Sequence, residues 1–306
     1  MWSSMTQNKT LTWTVSQDEA GAQLRRLLYN KYGFSRRQLI RLRKEGVAQV
    51  NGNPVSLTVI LAQGDRVYVE LPEHLALPEP ENIPLTVLYE DAELTVIDKP
   101  AGLVVHPTRG YPNGTLLNGL AWRWREQGRP GPVRLVTRLD RETSGLVLVA
   151  ANAWMHNALI NTRIDKEYLA VTRGVPSPLE RTIDVPLGRV PDFPGRGVTA
   201  DGKPSRSHYR VESVAGELAL VRLWPETGRT HQLRLHMAHI GCPIVDDYLY
   251  GQEEGLVGRV ALHACHLTFK HPVSGRDLEF SSPLPKDMGK FFPGRENSAM
   301  RRINTL

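Results

Sequence analysis

The stretch Arg138-Leu139-Asp140-Arg141-Glu142-Thr143-Ser144-Gly145 runs straight into Leu146-Val147-Leu148-Val149-Ala150, and its reading decides the rest of the chain. A charged turn feeding an uninterrupted apolar strand is where a rigid scaffold presents a side chain to a cleft. Asp140 stands between Arg138 and Arg141, and nearby cations favour a carboxylate over the neutral acid. An ionised, oriented carboxylate is the group that nucleophilic or general-base chemistry requires. By local spacing alone, a turn aspartate is more often a cap or a structural partner of an arginine. The wider pattern has to choose between the two.

Around this turn, alternating and short apolar runs predict strands over 85–89, 94–97, 145–150, 168–173, 207–214 and 218–224. Helical spacing predicts helices over 116–126, 153–162 and 230–239. Strands that do not alternate regularly with helices indicate an α+β sheet, mixed and largely antiparallel, rather than a doubly wound parallel one. Residues 191–206, rich in Pro, Gly and Ser, read as a mobile loop that orders on a ligand.

The N-terminal part is built differently. Ser16-Gln-Asp-Glu19 and Ser35-Arg-Arg-Gln38 each read as a capping box, the first for a helix carrying Leu24, Leu27 and Leu28, the second for one ending at Gly46. A strand over 47–50 follows, then the hairpin signal Asn51-Gly52, a second turn at Gly64-Asp65 and a strand through 67–70. Between Arg25 and Lys44 the charged residues are all basic, and Arg37, Arg41 and Lys44 share a helix face. Soluble helices normally mix signs, so this concentration of positive charge is better explained by a polyanion than by solvent. Pro72, Pro78, Pro80 and Pro84 mark a linker. The expected domains are therefore 12–71, a linker over 72–84, a catalytic domain over 85–290 and a tail over 291–306.

Bulk composition agrees with an anionic partner. The 306 residues carry a formal charge of +6 and the pI is about 9.4, which favours nucleic acid. Two cysteines, Cys242 and Cys265, form no CxxC pair, which argues against a disulfide framework and a Cys-rich zinc site. No apolar run reaches the roughly twenty residues that span a bilayer, and Met1 to Lys9 lack the apolar core of a signal peptide. A cytoplasmic protein without membrane or obligate protein partners is expected.

Arg138-Leu-Asp140 with Thr143-Ser-Gly-Leu146 resembles the signature of the RluA-type pseudouridine synthases. Further blocks follow the same order: Asp98-Lys-Pro-Ala-Gly-Leu-Val-Val-His-Pro107, Lys166-Glu-Tyr168, Thr227-Gly-Arg229-Thr-His231-Gln-Leu-Arg234, Asp247-Tyr-Leu-Tyr-Gly251 and Leu262-His-Ala264. The N-terminal helices and strands resemble an S4-like RNA-binding domain, so the whole is similar to the subgroup that modifies large-subunit ribosomal RNA. The resemblance implies that Asp140 is the nucleophile, Tyr168 stacks on the target base and helps remove its C5 proton, and Arg234 pairs with Asp140. It leaves open whether the covalent bond forms at the ribose C1′. Arg138 would fill the space of the flipped base, Arg229 and His231 would bind substrate, and Arg36, Arg37 and Arg41 would lie against RNA backbone. Ribosomal RNA is the first substrate to consider and transfer RNA the second, with no cofactor and no metal. Two positions depart from the family: Thr137 stands where histidine is usual, and Asp246 where glycine is usual.

Three rival readings come from other classes. A metal hydrolase would use His231, His236, His239, His263, Cys265 and His266, but His231 and His236 are five apart and diverge on a helix. A glycosidase would need a second acid, for which only Glu142 is close. A non-enzymatic ribosome-assembly factor fits the basic helices but leaves Asp140, Tyr168 and Arg234 without a purpose.

Overall fold

A computed structural model of the chain describes residues 7–32, 34, 36–73, 78–108, 110–129 and 133–295. It divides into two compact units, Met1–Ala76 and Leu77–Leu306.

In the first unit the order is β1 (Gln7–Thr14), α1 (Leu24–Asn30), α2 (Arg36–Glu45), β2 (Val47–Val50), β3 (Asn53–Pro54) and β4 (Arg66–Glu73). The four strands form one sheet in the order β1-β4-β2-β3. The core is Val15, Leu24, Leu28, Phe34, Leu42, Leu61, Val67 and Val69. Asn51 and Gly52 both take positive φ (53° and 82°), the geometry of the tight turn joining β2 to β3. Strand β1 was not expected, and both β1 and β4 extend beyond the boundaries 12 and 71.

Only half of the Ser16–Glu19 box forms: Glu19 accepts from the Ser16 backbone N–H at 3.0 Å, but the Ser16 hydroxyl donates to the Asp18 and Glu19 carboxylates. It closes a separate turn, however, and α1 begins only at Leu24. Glu19 also takes an ion pair from Lys31 at 2.7 Å, so one member of the basic run has an acid partner that lies outside it in sequence. The second expected box falls partly outside the described residues at Ser35, as does the side chain of Arg37.

The second unit continues with β5 (Thr86–Glu90), β6 (Leu94–Lys99), α3 (Leu116–Glu126), β7 (Arg134–Leu135), β8 (Ser144–Ala150), α4 (Ala153–Ile160) and β9 (Ile164–Arg173). Then come β10 (Glu180–Asp184), β11 (Leu187–Arg189), β12 (Arg196–Val198), β13 (Arg206–Ala215), β14 (Leu218–Pro225), α5 (Gln232–His239), β15 (Leu262–Lys270), β16 (Asp277–Ser281) and α6 (Lys286–Gly289). The main sheet runs β10-β13-β14-β9-β15-β8-β6-β5, with β16 on β15 and β7 on β8. Among the described strands only β8 and β15 pair in parallel, so the sheet is mixed and mostly antiparallel. Residues 191–206, expected as a loop, instead contribute β12, which pairs with β11 as a small hairpin.

Strand β8 is buried at every position because the sheet is covered on both faces. Leu146, Leu148 and Ala150 pack with Met155 and Leu159 of α4, while Val147 and Val149 pack with Leu116, Leu120 and Trp124 of α3. The period of two along the strand sorts its side chains between two cores. Residues 79–83, expected as linker, are tied to α3: Asn118 donates to the Glu79 carbonyl at 2.8 Å, and the Glu81 N–H donates to the Asn118 carbonyl at 3.1 Å. Of the expected tail, Phe292 is buried in the core beside β9 and β14, while 296–306 lie outside the described residues.

Gly145 sits where β8 meets β15, with φ of 106°, and a Cβ there would run into the Ala264 backbone. Gly145→Ala is expected to destabilise the second unit by about 3 kcal/mol or more, since both the clash and the backbone angle oppose it. A lowered urea midpoint would show this; an unchanged one would mean that the β8–β15 approach is not as close as described.

Candidate active site

Asp140 lies in the turn between β7 and β8, and the fold anchors that turn from below. Lys99, fully buried at the end of β6, donates to the carbonyls of Pro100, Leu103 and Arg141 at 2.8, 2.9 and 3.0 Å. Burial, with a smaller push from the Arg259 charge, pulls its ammonium down to about 8, against attraction from Glu142 and Asp140. Arg259 reaches the Glu142 carbonyl at 3.3 Å while paired with Asp287. The turn is thus held by its backbone, and the Asp140 side chain remains about a third exposed.

The expected electrostatic neighbours do not hold the Asp140 carboxylate. Arg141 turns to Glu142 at 2.6 Å and to the Tyr111 hydroxyl at 2.5 Å. Arg138 is exposed, near enough to His106 that its charge, after burial, helps to lower that imidazole. The cation at Asp140 comes from 94 residues away. Arg234 of α5 places Nη1 3.4 Å from Asp140 Oδ2.

A guanidinium as buried as that of Arg234, only 2% exposed, requires compensation. Asp247, itself completely buried, supplies it by accepting from Nε and Nη2 at 2.7 Å each. The rings of Tyr250 and Tyr248 lie 5.1 and 5.6 Å from the guanidinium carbon. Burial works against the charge, but the Asp247 bonds and the charges of Asp247 and Asp140 outweigh it and tighten its hold on the proton. Arg234 is therefore a fixed cation, and Nη1 is the part of its fork turned to Asp140.

Tyr168 lies on β9 opposite Leu223 and Ala264. Its phenol is pushed well above the usual range by burial and then by the Asp140 charge, so it stays protonated. His231 stands immediately before α5 with Nε2 3.8 Å from Asp140 Oδ2. Arg229 is exposed, its Nε donating to the Pro204 carbonyl at 3.3 Å. Asp140, Arg234 and His231 thus lie together, with Tyr168 within reach of the Asp140 charge and Arg138 and Arg229 exposed in the same unit. Arg36 and Arg41 belong to the other unit. Arg36 is exposed, and the half-buried Arg41 has an Nε with no partner among the described residues.

Asp247, Lys99 and Tyr250 were quoted in the sequence blocks without a role. Their signal was an acid, a lysine and an aromatic embedded in otherwise apolar or Gly/Pro-rich surroundings. The two departures are structural. Asp246 adopts φ of 55°, conformational space that glycine enters freely, and its carboxylate accepts from the N–H groups of Glu254, Val257 and Gly258. The Thr137 hydroxyl accepts from Leu148 N–H at 2.9 Å.

Of the residues considered as ligands, His263, Cys265 and His266 have other partners, whereas neither ring nitrogen of the buried His236 has a hydrogen-bond partner among the described residues. His263 donates from Nε2 to the Ser282 carbonyl at 3.2 Å and receives the Ser144 hydroxyl at Nδ1 at 2.9 Å. Cys265 donates to the Glu167 carbonyl at 3.4 Å. Burial pushes His236 and His263 down to about 4 each. Between pH 6.5 and about 4 the unfolded chain therefore binds more protons than the folded one, and stability falls with acidification. His263→Gln is expected to flatten part of that fall in a series of Tm values; an unaltered slope would contradict a neutral, buried His263.

Comparison with known proteins fits this arrangement. Residues 93–239 match the RNA pseudouridylate synthase family. The chain is 38% identical over 275 residues to the uncharacterised RNA pseudouridine synthase YjbO of Bacillus subtilis, covering 87% of this chain and 96% of that one. It is 39% identical over 287 residues to the ribosomal large subunit pseudouridine synthase D of Xanthomonas campestris, covering 87% and 86%. The human RNA Pseudouridylate Synthase Domain Containing 1 structure shares the fold with a TM-score of 0.55 at 27% identity, over 66% of this chain and 84% of that one. The chain belongs to the RNA pseudouridylate synthase family, in its RluA-type branch.

Proposed function

We propose that the chain isomerises uridine in large-subunit ribosomal RNA, with Asp140 as the nucleophile. The carrying observation is the asymmetry of the carboxylate: Oδ2 faces Arg234 and His231, while Oδ1 has no partner among the described residues. Arg234 orients the group, and Oδ1 keeps the lone pairs needed for attack. In the reaction the N1–C1′ bond breaks, a C5–C1′ bond forms, C5 loses a proton and N1 gains one. Nothing is oxidised or reduced overall. Tyr168, held neutral, offers a ring for the detached base to stack on and a hydroxyl near C5. Arg138, exposed beside the turn, is suited to occupy the space of the flipped nucleotide, which offsets an unstacking cost of a few kcal/mol.

Ribosomal RNA is favoured over transfer RNA by the name of the Xanthomonas relative, and the catalytic constellation disfavours a purely binding role. Primer extension on ribosomal and transfer RNA from cells lacking the gene would locate the missing pseudouridine. Its absence from large-subunit RNA supports this choice; its absence from transfer RNA alone redirects it.

The first unit is read as an S4-like domain that sets Arg36, Arg37 and Arg41 against RNA backbone. Converting all three to Gln is expected to weaken binding and to reduce the log–log salt slope by about 0.7–0.9 per lost phosphate contact. An unchanged slope would remove these arginines from the interface.

A further inference from the structure

The residue before α5 is in an unusual state. His231 has φ of 55° and ψ of 23°, a left-handed conformation uncommon outside glycine. Its ring has a polar neighbour at each nitrogen. Nδ1 lies 2.8 Å from the Tyr250 hydroxyl, and Nε2 points at Asp140 Oδ2 from 3.8 Å. The Tyr250 oxygen also receives the Arg196 backbone N–H at 2.9 Å, from β12 of the small hairpin.

Proton accounting assigns the tautomer. A backbone N–H can only donate, so the Tyr250 oxygen is an acceptor toward Arg196. Its own proton is then free to go to His231 Nδ1, the acceptor within reach among the described contacts. The imidazole proton is left on Nε2, the nitrogen facing a carboxylate that can only accept. The carboxylate end favours this tautomer, and the Tyr250 end is compatible with it. Burial favours the neutral ring, supported by the charges of Arg234 and Arg196 and opposed by those of Asp140 and Asp247.

We propose that His231 is a positioning residue: with its Nε2–H tautomer set by Tyr250, it joins Arg234 in fixing Asp140 Oδ2 and so directs Oδ1 at the substrate. The β11–β12 hairpin takes part through the Arg196 N–H, which connects the conformation of that hairpin to the aim of the carboxylate. At 3.8 Å the Nε2–H contact is not yet a hydrogen bond; it closes when substrate fixes the Asp140 rotamer. The proposal rests on Asp140 being the reacting carboxylate.

Two substitutions separate the ends of the ring. The amide of Gln reaches the position of Nε2, whereas that of Asn reaches only the position of Nδ1. His231→Gln therefore keeps a donor for Asp140, and His231→Asn keeps only the Tyr250 contact. Asn also accepts left-handed backbone more readily than His, so its loss of rate would not be a backbone effect.

Single-turnover tritium release would be measured on a mixture of unmodified large-subunit ribosomal and transfer RNA transcripts carrying 5-tritiated uridine, with RNA Kd in parallel. His231→Asn is expected to slow release by on the order of 10–100-fold and His231→Gln by clearly less, with Kd nearly constant in both. Equal rates for the two variants, a wild-type rate for His231→Asn, or losses confined to Kd would overturn the proposal. Should His231→Gln fail to fold, Tyr250→Phe decides: a rate about tenfold lower at constant Kd supports the relay, and a wild-type rate refutes it. A silent wild type, or an active Asp140→Asn, would instead bring down the underlying reading, and this proposal with it.

Discussion

Asp140→Asn is expected to abolish turnover, by about 10⁴-fold or more, while RNA affinity changes little. The substitution keeps the size of the side chain and its turn, because that turn is anchored through backbone carbonyls by Lys99 and Arg259. What disappears is the charge and the nucleophilic oxygen. An amide cannot attack or leave as a carboxylate does, and removing the nucleophile from a covalent mechanism costs most of the acceleration. Affinity should survive because the exposed arginines, and not a half-buried anion, are the groups proposed to meet the phosphates. Rate and Kd measured on the same preparation would separate the two. Parallel loss of both would indicate a misfolded site.

The second large effect is expected at a residue that need not touch substrate. Asp247→Asn should lower stability by about 3–5 kcal/mol and remove most activity. Arg234 is buried with two of its nitrogens committed to the Asp247 carboxylate, and removing one partner of a buried ion pair leaves an uncompensated charge. The remaining anion within reach is Asp140, at 3.4 Å. A guanidinium freed from Asp247 would close on it with both prongs and occupy Oδ1, the oxygen proposed to react. Asp247 also accepts from the N–H groups of Leu249 and Tyr250, so the segment that carries Tyr250 should loosen too. Thermal melting and single-turnover rates would both report the change. A variant with wild-type Tm would show that the pair is not the keystone described here.

What could be read in advance, and what could not, follows from the range of the interactions. Helix 116–126 was legible because its apolar positions recur with helical spacing; its Thr115 cap emerged only in the fold. Strand β8 was legible because every residue in it is buried. By contrast, β15 interleaves His263, Cys265, His266 and Thr268 with its apolar residues, so its composition suggested ligands; in the fold they bind Ser144, Ser281, Ser282 and backbone. The β11–β12 hairpin hid behind Pro and Gly because Arg189 and Arg196, its last register pair, carry no strand signal. The turn around Asp140 was recognisable, but its cation was misplaced: proximity in sequence favoured Arg138 and Arg141, and the fold delivers Arg234 from a helix 94 residues on. Only the family resemblance pointed to that pairing. Asp247 and Lys99 could not be assigned because their importance lies in burial, which no local pattern records.

The central claim is that Asp140 carries the isomerisation. Its most direct test is tritium release from unmodified ribosomal RNA labelled at uridine C5, comparing wild type with Asp140→Asn at matched occupancy. The account predicts stoichiometric release by wild type and none by the bound variant. Release by Asp140→Asn at a comparable rate would contradict it.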